Sequence, residues 1–418
     1  MSARLPANAW IASAPVVETM AALAAAGGED CARFVGGCVR DTLLGRAGPD
    51  LDIDIATTLP PDQVIAALEA AGIKAVPTGV EHGTVTAVAQ GRPLEITTLR
   101  RDVETDGRRA VVAFTTDWAE DAARRDFRLN ALYADISGQV FDPTGEGVSD
   151  AKAGRIVFVG DPSTRIREDN LRILRFFRFY AGYGRGEADA AGLAACAALK
   201  AGLSTLSAER IAKELLKLLA YEDPRAAVRL MAATGVLSVL LPEVQGFERF
   251  ERLVAIETEQ LFTRDALLRL AALLPNDQEA VRAVATRLRL SNAERDRLVA
   301  SVSGEPRLVS WASPRELRRT IYALGAHTFR DRVQLAWAAD PRTATATQWR
   351  MMLAVAETWS PPPFPVTGEE IKAAGAPEGP LVGRIRKEIE SWWVDTDFTD
   401  DKLAAIERLK AVVQGLIY

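Results

Sequence analysis

Two aspartates, Asp52 and Asp54, sit in the run Leu51-Asp52-Ile53-Asp54-Ile55, where aliphatic and acidic residues alternate. In an extended strand successive side chains point to opposite faces, so both carboxylates share one face and the aliphatic groups the other. Aspartate is depleted in strands, so two in one short run ask for a reason. Carboxylates at i and i+2 stand about 6 to 7 Å apart at their Cα atoms, a span that can hold two divalent ions roughly 3.5 to 4 Å from each other. Oxygen-only ligands suit Mg²⁺ rather than zinc. An isolated Asp-x-Asp has a plainer reading, an edge strand charged against aggregation. Asp50 lies on the same face by alternation.

The preceding residues, "FVGGCVRD" (34 to 41), change that balance. Glycines after a strand let backbone N–H groups approach a phosphate, and the N-terminus of the following helix adds a positive dipole. Gly36 and Gly37 are placed for that role, and Arg40, one turn into the helix, can pair with further phosphate oxygens. A glycine turn alone is as readily packing as ligand binding, but next to an acidic strand it suggests phosphate and metal held together.

A second concentration of charge lies in "STRIREDNLRILRFFRFY" (163 to 180), read as one short helix with five arginines against two acids. Residues three apart on a helix are neighbours, so Asp169 and Arg172 can act as one unit, while Arg175 and Arg178 drift round the helix away from Asp169. The alternative is a salt-bridged, solvated helix with a core-facing stripe of Phe176, Phe177 and Phe179.

These motifs resemble the nucleotidyltransferase superfamily, and within it the bacterial-type (class II) CCA-adding enzymes and bacterial poly(A) polymerases. The Gly-Gly-x-Val-Arg-Asp and Asp-x-Asp of the first motif are matched by Gly36, Gly37, Val39, Arg40, Asp41, Asp52 and Asp54. The resemblance implies that Asp52 and Asp54 hold Mg²⁺ and are catalytic in a two-metal nucleotidyl transfer to an RNA 3′-hydroxyl. It gives Asp50 no role. Glu95, in the predicted strand "LEITTLR", is the candidate third carboxylate.

"RRDFRLNALY" (124 to 133) matches the family's second patch and places Arg125, Asp126 and Asn130 near the sugar and triphosphate. "EDNLR" matches the motif whose Asp and Arg, here Asp169 and Arg172, select the base as a protein template, and Arg175 and Arg178 on the same helix are further substrate-binding candidates. Cytosine and adenine both present an exocyclic amine beside a ring-nitrogen acceptor, so one acceptor and one donor read both. Guanine and uracil present the opposite pattern. In the family the stretch 100 to 118 is a flexible loop tied to the switch from C to A addition.

The resemblance implies CTP, ATP and the tRNA 3′ end as partners. The poly(A) polymerases usually carry a basic, aromatic "GRRF"-like run where this chain reads "VPTGVEHGTVTAV", which favours CCA addition. Open-ended A addition is the alternative.

Bulk composition sets limits. A chain of 418 residues with 48% hydrophobic content makes several globular parts, and a net charge of −5 argues against bulk electrostatic coating of nucleic acid. Only two histidines, His82 and His327, leave little material for a histidine metal cluster or a Ser-His-Asp triad, so catalysis must lean on carboxylates. Cys31, Cys38 and Cys196 are too few for a disulfide framework and fit a reducing cytoplasm. No window approaches a membrane span, and no obligate protein partner is inferred.

The elements that must position these residues follow from periodicity. Helices are expected over 16–26, after Gly37 and from Pro61, strands at "ARFV" and "LDIDIAT", and a hairpin round Gly91, giving four or five strands in the first 150 residues. Beyond about 165 the pattern is helical. The expected fold is α+β: a nucleotidyltransferase head (1–150) with a small mixed sheet and flanking helices, then an all-α neck (151–225), body (226–358) and tail (359–418). Trp392 and Trp393 are assigned to the tail's core.

Overall fold

The computed structural model describes residues 3–6, 10–49, 51–106, 109–302 and 304–417. It divides into two compact units, Met1–Pro242 and Glu243–Tyr418. The first unit holds every described strand: β1 (Ala32–Val35), β2 (Asp54–Thr57), β3 (Lys74–Gly79), β4 (Thr84–Ala89), β5 (Arg92–Thr98), β6 (Arg100–Asp106), β7 (Arg109–Phe114), β8 (Tyr133–Ala134) and β9 (Val140–Phe141). Seven form one mixed sheet in the order β3-β4-β5-β2-β1-β8-β9, and β6 pairs with β7 alone. Within that sheet β2 and β5 run parallel, so one crossover aligns the acidic strand with the strand carrying Glu95. The α+β expectation therefore holds.

Alternation explains how the sheet presents its faces. Val85, Ala87 and Ala89 of β4 and Leu94, Ile96 and Thr98 of β5 are buried, which turns Glu95 outward. The helices Ala14–Gly27 and Pro61–Ala70 pack on each other and on β4. At the β4–β5 hairpin, Gln90 and Gly91 both take positive φ, 49° and 80°, the backbone of a tight two-residue turn.

Several expectations need correction. The strand "LDIDIAT" is shorter than its pattern: β2 starts at Asp54, and Leu51 to Ile53 precede the ladder. The alternation nevertheless persists, with Ile53 and Ile55 buried and Asp52 and Asp54 exposed. Asp50 lies outside the described residues. The sheet has more strands than four or five, because β3, β8 and β9 are short or weakly apolar. The stretch expected as a loop at 100–118 contains the β6–β7 hairpin; Gly107 and Arg108 at its turn lie outside the described residues. Finally, 163–180 is two helices, Pro162–Glu168 and Leu171–Tyr183, with Asp169 extended between them (φ −151°, ψ 105°).

The second unit is helical. Capping side chains open many of its helices: Asp265, Asp277, Ser291, Ser313 and Thr367 each accept a backbone N–H of the first turn. Its C-terminal core gathers Val366, Ile371, Ile385, Ile389 and Leu409, with Trp392 packed against it. Trp393 is buried as expected. Among the described residues no helix is long and apolar enough to cross a membrane.

Candidate active site

The glycine turn forms where β1 ends. Gly36 takes φ +74° and ψ −121°, and its N–H donates to Leu132 O at 3.0 Å. That conformation suits glycine and starts the helix Gly37–Leu43. A Cβ on Gly36 would stand 3.8 Å from Arg125 Nη1 and from Asn130 O, so the turn lies against the "RRDFRLN" segment.

Asp54 and Glu95 are in-register neighbours on β2 and β5. Both are exposed at the sheet surface. The Asp54 carboxyl is raised to about 6: partial burial contributes most, Glu95 and Asp52 repel its charge, and Arg125 offsets part of the effect. One face of the sheet's central strands thus concentrates negative charge opposite one guanidinium. A divalent cation would relieve it, and the oxygen-only donors suit a hard ion. Among the described residues no group of three or more acidic, histidine or cysteine side chains forms a ready-made cage. Asp52 and Asp54 would therefore hold an ion with coordination positions left for water and phosphate oxygens.

Arg125 is anchored on one side only. Its Nε and Nη2 donate to Asp121 Oδ2 at 3.1 and 3.0 Å, leaving Nη1 toward Gly36. Asp121 is 1% exposed and also receives Arg124 at 2.6 Å and the Tyr133 hydroxyl at 2.6 Å. Burial alone would raise its carboxyl, but Arg125 and Arg124 outweigh burial and hold it at about 2.

Other expected phosphate ligands are engaged internally. Arg40 is 6% exposed. It donates to Asn130 Oδ1 at 2.6 Å, to both oxygens of Asp41 at 2.9 Å and to the Tyr183 hydroxyl at 2.7 Å. Asn130 Nδ2 donates to Asp126 Oδ1 at 3.0 Å. Asp126 Oδ2 accepts Arg175 Nε at 2.7 Å. Glu214, on the helix Ala208–Leu219, lies 3.9 Å from Arg175 and 2.8 Å from Arg178. These buried and half-buried groups build a continuous polar chain from the glycine turn to the Leu171–Tyr183 helix.

Asp169 and Arg172, the pair expected to read the base, are not joined. Asp169 Oδ2 accepts Arg210 at 2.8 Å and its Oδ1 accepts Leu171 N at 3.1 Å. Arg172 donates to Glu168 Oε2 at 2.5 Å, to Arg165 O at 2.8 Å and to Arg124 O at 2.9 Å. The helix break explains this: Asp169 is off the helix, so three-residue helical spacing does not set its direction. Arg172 nevertheless ties the start of the Leu171–Tyr183 helix to the segment carrying Arg125.

Sequence reading missed Asp121, Glu168, Arg210 and Glu214. Spacing could have found two of them, since Asp121 is four residues before Arg125 and Glu168 four before Arg172. Arg210 and Glu214 reach their partners from a separate helix, and no local pattern marks them.

Family models match two regions: a poly A polymerase head domain over residues 32–157 and a probable RNA and SrmB- binding site of polymerase A over 189–247. The chain is 33% identical over 393 residues to the mitochondrial CCA tRNA nucleotidyltransferase 1 of Mus musculus, covering 90% of this chain and 86% of that protein. A CCA-adding enzyme of Oceanobacillus iheyensis is 42% identical over 199 residues, 47% of this chain and 48% of that one. Among solved structures, the Bacillus stearothermophilus CCA-adding enzyme in complex with CTP superposes with a TM-score of 0.73 at 27% identity, over 96% of this chain and 100% of that one. The Thermotoga maritima CCA-adding enzyme complexed with tRNA shares the fold, with a TM-score of 0.69 at 20% identity over 98% of this chain and 100% of that one.

Proposed function

The chain belongs to the CCA-adding tRNA nucleotidyltransferase family, and from that premise we infer how its own residues build or repair the 3′-terminal CCA of tRNA from CTP and ATP. The names of the relatives and of the solved structures favour CCA addition over open-ended A tailing.

One observation carries the reading: Asp54 and Glu95 lie in register, and Arg125 acts on Asp54 while its Nη1 turns to the positive-φ turn at Gly36. Members of this superfamily use a divalent metal, and Mg²⁺ held by Asp52 and Asp54 would make the RNA 3′-hydroxyl more acidic and neutralise charge on the leaving pyrophosphate. Arg125 Nη1 and the Gly37 backbone amide at the start of the helix receive the triphosphate, while the Gly36 amide stays on Leu132 O. Glu95 keeps the acidic face negative enough to hold the ion. Asp126, Asn130 and Arg40 fix that turn from behind, so their part is positioning. Asp169 accepts from the exocyclic amine of the incoming base and Arg172 donates to its ring acceptor, with Arg175 and Arg178 anchoring the helix beneath. For this the Arg210 and Glu168 contacts must open.

The unit ending at Pro242 would carry the head (1–150) and the neck (151–225). The Arg225–Ala233 helix packs against Leu171–Tyr183 within it, so the body is better started near Glu243, with the tail from 359. The three cysteines are free and buried, and the cytoplasm is the proposed location.

The test is one incubation of the protein with tRNA lacking its CCA end, CTP and ATP, resolved at single-nucleotide length. Addition that stops after three nucleotides supports the reading. An open-ended A ladder, or no addition, refutes it.

A further inference from the structure

The helical unit Glu243–Tyr418 contains a cavity of about 490 Å³ whose walls carry four arginines, Arg249, Arg307, Arg332 and Arg342, against one carboxylate, Asp340. Asp340 is already answered. Arg342 grips both its oxygens at 2.8 and 3.0 Å, and Trp349 Nε1 donates to it at 3.1 Å.

Among the described residues, no carboxylate is bonded to the remaining three arginines. Arg332, 5% exposed, donates to the backbone carbonyls of Glu305 at 2.8 Å and Pro306 at 2.7 Å. Arg249 closes the end of the Ala266–Leu273 helix through the carbonyls of Ala271 at 2.7 Å and Ala272 at 3.0 Å. Arg307 is exposed and forms no ion pair among the described residues. Burial pushes the Arg249 and Arg332 guanidinium pKa values down, with Glu305 opposing the effect on Arg332. Carbonyl dipoles satisfy the N–H groups without neutralising the charge, so the cavity holds a positive potential that an anion relieves.

Trp311 lines the same cavity, is 69% exposed, and has Arg342 5.6 Å from its ring centre. An exposed indole beside guanidinium groups is a stacking platform for a nucleobase. Guanidinium forks match phosphate oxygens, and the volume falls within the usual range for small-ligand sites.

We propose that this cavity is a second nucleotide-phosphate site, with phosphate on Arg307 and Arg332 and the base on Trp311. Its lining comes wholly from the helical unit, so it owes nothing to Asp52, Asp54 or the glycine turn. The nucleotide is either free or part of an RNA strand, and the chemistry of recognition is the same.

The experiment uses the full chain and three variants: Trp311→Ala and Arg307→Ala, both surface changes, and Arg332→Gln, checked for folding by circular dichroism. Calorimetric titration with ATP counts sites, and a short single-stranded RNA is titrated separately. A free-nucleotide site gives two ATP per wild-type chain and one in Trp311→Ala and Arg307→Ala, with addition of CCA at saturating substrate unchanged. An RNA-borne nucleotide gives one ATP in every protein but weakens RNA binding about 10-fold in the same variants. Site counts and RNA affinities that are the same in wild type, Trp311→Ala and Arg307→Ala overturn the proposal, whatever the fate of Arg332→Gln.

Discussion

Asp54 of β2 and Glu95 of β5 face each other in register across a parallel strand pair, so two carboxylates repel on one sheet face while Arg125 offsets part of the charge. The arrangement costs stability unless something cationic completes it. Replacing Glu95 with Gln should bring the Asp54 carboxyl down from about 6 and lower nucleotide transfer by about 10- to 100-fold, the usual scale for groups that support a metal ligand. Carboxyl-carbon NMR follows the titration and a primer-extension assay the rate. An Asp54 titration indifferent to the change would remove Glu95 from the site.

Asp52→Ala should reduce nucleotide incorporation by at least about 10²-fold, the scale for removing one preorganised electrostatic element. Binding of tRNA should persist, because Asp52 is exposed and lies outside the strand ladder. Gel-shift and incorporation measured on the same preparation separate the two effects, and turnover near wild type contradicts the assignment.

Asp121 gives a pH prediction. Burial would raise its carboxyl, but Arg125 and Arg124 hold it at about 2, below the value of about 4 for an unfolded chain. Between those values the unfolded state binds more protons, so this contribution is full above about pH 4 and fades as pH falls toward 2. Asp121→Asn should lose it and destabilise the neutral protein by roughly 3–5 kcal/mol, since two guanidinium groups lose their buried partner. Denaturant unfolding at neutral pH and near pH 3 checks this: the gap between wild type and variant should narrow in acid, and a constant gap contradicts it.

Asp169→Ala or Arg172→Ala should relax the choice of C and A over U more than either slows transfer of CTP. A lost hydrogen-bonded base contact is worth about 1–3 kcal/mol of discrimination. Relative kcat/KM for CTP and UTP is the measurement. Strict C-then-A addition by both variants would end the templating idea.

Gly36→Ala tests the turn. The new methyl would stand 3.8 Å from its nearest neighbours, an ordinary contact, so the cost is the backbone, whose positive φ with ψ −121° lies outside the left-handed helical well and strains any side-chain-bearing residue by about 1–3 kcal/mol. The fold should survive while KM for CTP rises, because the methyl lies between the turn and Arg125 Nη1. A raised KM without a large fall in melting temperature is the expected signature, and an unchanged KM would remove the turn from triphosphate binding.

Local pattern made much of this legible. The alternation Ile53-Asp54-Ile55 survives where the ladder does not reach Asp52, because one face still needs burial whether or not the backbone pairs. The helix break at Asp169 was hidden because charge and aromatic periodicity run across it. Its backbone N–H groups find partners that a sequence does not show, among them the Asp169 side chain capping Leu171. Glu214 was out of reach for a different reason: it sits on an amphipathic helix among buried leucines, and only the fold brings Arg175 and Arg178 to it. Arg40, Asp126 and Asn130, grouped by motif, are joined by hydrogen bonds, and their burial suits the support of a surface better than the surface itself.

The polar chain from Arg40 through Asn130, Asp126 and Arg175 to Glu214 has a metrical consequence. It fixes the separation between the Gly36 turn and the Leu171–Tyr183 helix, as a rigid gauge does. Under the proposed function a nucleotide would then be measured for length as well as for the pattern of its edge, with the same gauge for either of the two bases.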